Sequence, residues 1–80
     1  MTYEKHGTYT LDGEQYTKVD FEMVSTEENP TEAQLHSIGV NKLWNGSTIF
    51  ELDTFKIFFY SMMNGKWEDG DGHGRGEENE

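Results

Sequence analysis

One dipeptide decides how the first third of this chain can fold. Asp12-Gly13 separates a short Thr/Tyr-rich run, His6 to Leu11, from an alternating segment, Glu14 to Ser25. Both central residues of a type I′ turn need positive φ, and Asp-Gly is among the pairs that meet that need best. In the second segment Val19, Phe21 and Met23 fall on one side. Glu14, Lys18, Asp20 and Glu22 fall on the other, with Tyr16 among them. A period of two means a strand with one buried and one wet face. The spacing therefore predicts a β-hairpin whose apolar face the rest of the chain must cover.

Thr26 to Asn29 reads as a polar loop, and Pro30 stops any strand there. Thr31-Glu32-Ala33-Gln34 opens a helix, with Thr31 or Asn29 as cap, Leu35 and Ile38 on one face, and Gly39 as its stop. A short apolar piece, Val40 to Trp44, ends at a second turn pair, Asn45-Gly46. Ser47 to Met63 fits two readings. Phe55, Ile57 and Phe59 alternate as a buried strand would, whereas Phe55, Phe58, Phe59 and Met62 fit a helical stripe. The strand is favoured, because four of the seven residues from Phe55 to Ser61 are aromatic and one is β-branched. The expected fold is α+β: a small antiparallel sheet of three or four strands with one helix packed on it.

Charge marks the expected domain boundary. The 80 residues carry a formal net charge of −10, and half of it falls after Trp67, where six acids face one base. That stretch has no large apolar side chain to offset its ordering entropy. A single compact domain over 3–67 and a disordered acidic, Gly-rich tail over 68–80 are expected. The start, Met1 to His6, lacks an apolar signal region, so a cytoplasmic protein is expected. No run is long and apolar enough for a membrane span. There are no cysteines, hence no disulfides and no thiolate metal sites. Direct nucleic-acid binding is disfavoured, because phosphates require Lys and Arg.

Little here suits catalysis. Histidines 6, 36 and 73 fall in separate regions, and no serine sits in a nucleophile elbow. Acids are abundant, but catalytic carboxylates need burial that drives their pKa values apart, and a small core leaves most of them solvated. A non-enzymatic protein without cofactor or metal is expected. Asp69, Asp71, Gly74 and Glu80 have the spacing of a calcium loop, but His73 stands where Asp or Asn belongs, and a solvated acidic tail is favoured. The alternating glycines 70, 72, 74 and 76 lie in an acidic setting that repels phosphate.

The acidic surface remains. Glu14, Asp20 and Glu22 share the wet face of the second strand. Glu27, Glu28 and Glu32 follow at the loop and helix start, and Glu51 and Asp53 add charge in the next β segment. Residues i and i+2 of a strand lie ~6.7 Å apart, comparable with the step between successive phosphates of one DNA strand. Acidic faces usually serve solubility alone. An excess this large also costs a small domain stability through self-repulsion, which is easier to understand if the charge has a use. The competing expectation is a small adaptor that uses an exposed aromatic face. In the strand reading Phe58 and Tyr60 point away from Phe55, Ile57 and Phe59, and their exposure would predict a homodimer or partner contact.

On Glu14, Asp20, Glu22, Glu27, Glu28, Glu32 and the tail from Glu68, the chain resembles the small, acidic, cysteine-free early proteins with which bacteriophages take over a host. Some of these are DNA mimics. The resemblance implies an inhibitor without chemistry of its own. Its target would be a basic host protein: a nucleoid-associated protein such as HU, an RNA polymerase or a defence nuclease. The chain departs from an ideal mimic at Lys5, Lys18, Lys42, Lys56 and Lys66, which interrupt the negative field.

Overall fold

The structure, a computed structural model, describes residues 1–76. The Asp12-Gly13 turn forms as expected, with φ of 54° and 80°. It joins β1 (Thr2–Leu11) to β2 (Glu14–Met23). The two pair antiparallel from Leu11↔Glu14 to Thr2↔Glu22, with a bulge between Lys5 and Gly7 that leaves His6 unpaired. Val19, Phe21 and Met23 are buried, as their alternation requires.

The sheet has six strands and is mixed, which corrects the expected antiparallel sheet of three or four. After β2 come α1 (Glu32–Ser37), β3 (Lys42–Leu43), β4 (Thr48–Glu51), β5 (Ile57–Ser61) and β6 (Lys66–Glu68). Strands β3 and β4 both pair parallel with the same edge of β2, β3 at Tyr16–Thr17 and β4 at Asp20–Met23. Parallel neighbours need a crossover of about a dozen residues or more, and the segment from Val24 to Asn41 supplies it. Strands β5 and β6 extend the sheet as antiparallel neighbours of β4. β3 and β6 have two and three residues, too few for any periodicity to reveal.

The chain leaves the sheet between β3 and β4, and Ser47 repairs the gap. Its buried Oγ accepts from the Val19 N–H at 3.0 Å and donates to the Trp44 carbonyl at 2.9 Å. A side chain thus stands in for a missing ladder carbonyl. Ser47→Ala leaves a buried N–H unpartnered, which costs about 1–3 kcal/mol. Urea unfolding checks this, and an unchanged midpoint would mean that the N–H finds another acceptor.

The helix is also smaller than expected. Thr31 caps it with a reciprocal box: the Gln34 N–H donates to Thr31 Oγ1 at 3.1 Å, and the Thr31 N–H donates to Gln34 Oε1 at 2.9 Å. It spans six residues, of which only Leu35 is buried. One turn and a half cannot cover a six-stranded sheet, so α1 acts as a clip within a longer irregular cover. Leu35 and the following Val40 and Leu43 meet Val19, Phe21, Met23, Ile49, Phe58 and Trp67 in one core. Lys5 Nζ donates to the Ile38 carbonyl at the end of α1, tying the clip to the edge strand.

The segment from Glu68 differs most from expectation. Asp69 Oδ1 accepts from the Asp71 and His73 N–H groups, each at 2.9 Å, and folds a tight loop. Glu68 and Gly74 then bridge antiparallel, and the Arg75 N–H donates to the Trp67 carbonyl at 2.7 Å. Residues 68–76 therefore return along β6 instead of trailing away, and they carry Arg75 into the interior. Its Nε donates to Glu51 Oε2 at 2.7 Å, Nη1 to Asn29 Oδ1 at 2.6 Å and Nη2 to the Val24 carbonyl at 3.1 Å. The guanidinium also lies 5.9 Å from the Phe58 ring centre. This single cation supplies what the tail's lack of apolar side chains seemed to preclude. The remainder of the expected tail, 77–80, lies outside the described residues.

Candidate functional site

The core and its cover lie on one side of the sheet, and the other side is open except where Trp44 packs on Tyr9 and Tyr16. Cross-strand pairing sets its side chains in rows. One row runs Glu4, Asp20, Thr48, Phe59, Glu68, and the next runs Thr2, Glu22, Phe50, Ile57. The open face is acidic where Glu4, Asp20 and Glu22 meet on β1 and β2, aromatic where Tyr9 and Tyr16 pair, apolar over β4 and β5, and mixed at β6, where Lys66 accompanies Glu68.

Glu4, Asp20 and Glu22 line one shallow hollow of about 280 Å³ with Thr2 and Tyr3. Glu4 and Asp20 are directly opposite each other, a repulsive arrangement in a sheet. His6, set on this face by the bulge, lies between them, with Nε2 2.8 Å from Asp20 and 3.9 Å from Glu4. Thr48 Oγ1 donates to Asp20 at 2.7 Å, Lys18 Nζ lies 3.7 Å away, and Thr2 Oγ1 donates to Glu22 at 3.2 Å. Three carboxylates against one lysine keep the hollow negative.

The other expected contact acids have different roles. Glu14 lies at the hairpin end of β2, where it accepts from Asn41 Nδ2 at 3.1 Å. Glu28 is exposed in the loop after β2, and Glu32 is in the first turn of α1. Glu27 accepts from the Val24 N–H at 2.9 Å and lies 3.3 Å from the N-terminal amine. Asp53 accepts from both the N–H and the Oγ of Ser25, at 2.9 and 2.6 Å. Glu51 is not a surface acid at all: it is buried against Arg75, and Thr54 Oγ1 also donates to it at 2.6 Å. Its alternation within β4 puts it on the core face with Ile49, and the distant Arg75 makes that tolerable. Of the acids singled out in the sequence, the hollow thus gathers only Asp20 and Glu22. It adds Glu4, whose face could not be read from sequence because the bulge at His6 breaks the alternation of β1.

The aromatic expectation is inverted. Phe58 pairs with Ile49 and is only 6% exposed, and Tyr60 packs edge-on against Trp67 at 5.2 Å. Phe58 is therefore not an exposed contact, and Tyr60 is only partly exposed, on the core side of β5. Ile57, Phe59 and Phe55 are 46%, 49% and 77% exposed instead. The run Ile57-Phe58-Phe59-Tyr60 is apolar at both parities, so only its pairing with β4 settles which side faces out.

Hydrogen bonds hold three carboxyls below their ordinary range. The Val24 N–H does so for Glu27, the Ser25 hydroxyl for Asp53 and the His73 N–H for Asp69. A depressed folded-state pKa contributes stability that is complete at neutral pH and is lost as pH falls through the carboxylate range. Asp53→Asn removes one such contribution. The stability gap between wild type and this variant should hold at neutral pH and narrow as pH falls below about 4, where the wild-type carboxyl begins to take up a proton. A gap constant with pH in urea titrations would contradict this.

The remaining chemistry-bearing groups are dispersed. His6, His36 and His73 sit on β1, on α1 and in the loop after β6. Ligand atoms of Asp69, Asp71 and His73 lie within 4.8 Å of one another, but the Asp69 carboxylate already receives the two N–H groups that fold the loop. Among the described residues, no helix is long and apolar enough to cross a membrane. No protein family, curated protein or solved structure matches the chain.

Proposed function

We propose that this protein is a non-enzymatic acidic binding protein that occupies the basic, nucleic-acid-binding surface of a host protein with the open face of its sheet. The observation that carries this reading is the convergence of Glu4, Asp20 and Glu22 on one hollow. Adjacent strands are ~4.8 Å apart and alternate residues ~6.7 Å apart, so a sheet face presents carboxylates at spacings a phosphate-binding surface accepts. Charge complementarity of this kind steers association and weakens with salt. A nucleoid-associated protein, an RNA polymerase or a defence nuclease has a surface of the required sign, and the cytoplasm of an infected bacterium is where they would meet. The loop acids Glu27 and Asp53 hold the scaffold and Glu51 holds its core, so the contact set is smaller than the acid count implies.

The test is capture from bacterial lysate at low salt on immobilised protein, followed by a salt gradient and by competition with duplex DNA. A basic protein that elutes with salt and is displaced by DNA is expected. Retention indifferent to both would refute the reading.

A further inference from the structure

The geometry points to a cationic amphipathic helix as the element of the partner that the open face receives. This inference rests on the proposed function and adds what a polyanion surface alone would not need, an apolar track. Phe50 on β4 and Ile57 and Phe59 on β5 form a strip two strands wide. Two strands span ~10 Å, about the width of an α-helix with its side chains. The five residues of β5 extend ~16 Å, the length of about ten helical residues. Acids flank the strip on one side, with Glu4, Asp20 and Glu22 beyond β4, whereas beyond β5 Glu68 shares the face with Lys66. The complementary object has an apolar stripe with Lys or Arg along the edge that meets Glu4, Asp20 and Glu22. A helix of that kind is also what many proteins place in the major groove of DNA.

Phe55 lies at the end of the same strip, beside Phe50, with ring centres 6.3 Å apart, and it is 77% exposed. Its φ is 62°, a left-handed conformation that costs an L-residue energy and that Gly or Asn would occupy more easily. The contact with Phe50 covers only a small part of its ring, so most of its apolar surface stays available to a partner. A second copy of this chain fits the strip poorly, because each copy carries a net charge of −10 and the flanking acids would meet acids.

The experiment uses three synthetic probes of about 14 residues, long enough to overreach the strip. The first is a Leu/Lys peptide with its leucines on one helical face, the second has the same composition scrambled, and the third is oligolysine. Each is titrated into the full chain at low salt and followed by amide NMR and circular dichroism. The amphipathic peptide should become helical, shift Phe50, Ile57 and Phe59, and bind about tenfold tighter than the scrambled one. Phe59→Ser, checked for an intact amide spectrum, should remove that advantage and leave oligolysine binding unchanged. Phe55→Gly should also weaken the amphipathic peptide while raising thermal stability. Equal binding of all three probes would overturn the helix inference and leave the acidic-surface reading standing. Binding of none would overturn both. Self-association that buries Phe59 would replace the partner helix with a second copy.

Discussion

Replacing Arg75 with Met is expected to destabilise the protein by about 3–5 kcal/mol, because it leaves the buried Glu51 carboxylate without its cation. That is a large part of what a domain of this size has, so much of the variant should be unfolded at 37 °C. Arg75 holds three partners from distant parts of the chain, Glu51 in β4, Asn29 in the crossover and the Val24 carbonyl after β2. It therefore fastens the cover to the sheet. The double variant Glu51→Leu with Arg75→Met should recover most of the loss, since an apolar pair removes both charges together. Urea unfolding of the two single variants and the double closes the cycle. Equal stability of wild type and Arg75→Met would mean that residues 68–76 do not pack as described. The same contact dictates where the chain can be shortened. Removal of 69–80 takes Arg75 away and should unfold the domain, whereas removal of 77–80 tests the terminal charge alone.

The second large effect concerns binding. Asp20→Lys with Glu22→Lys turns the negative hollow positive without touching the core, because both side chains lie on the open face. Reversing two charges at the centre of an electrostatic contact should weaken capture of a basic partner by about 100-fold at low salt, and by less at high salt as screening shortens the range of both attraction and repulsion. Removing 77–80 should weaken it less, although that deletion takes away three acids. Binding constants at two salt concentrations decide the ranking. The reverse order would move the contact to the terminus.

The hairpin was legible because its signals are local. Asp12-Gly13 and the alternation of Val19, Phe21 and Met23 need no knowledge of the rest of the chain, and the Thr31 cap is likewise written within four residues. What could not be read depends on distant partners. The phase of Ile57 to Tyr60 follows from pairing with β4. The parallel placement of β3 and β4 depends on Ser47 bridging a gap that no pattern marks. The clearest case is Glu51. It looks like any strand acid until Arg75, 24 residues later, comes back to meet it. The candidate site divides the same way: Asp20 and Glu22 followed from the period of two, whereas Glu4 needed the bulge at His6, and the exposed aromatic strip needed the register of β5.

The most direct measurement is a chemical-shift map of the protein labelled with nitrogen-15 and titrated with the basic partner retained at low salt. The perturbed amides should trace the open face, through residues 2–6, 18–22, 48–50 and 57–59, and added salt should reverse the changes. Perturbations confined instead to α1, or to the loop from Asp69 to His73, would contradict this.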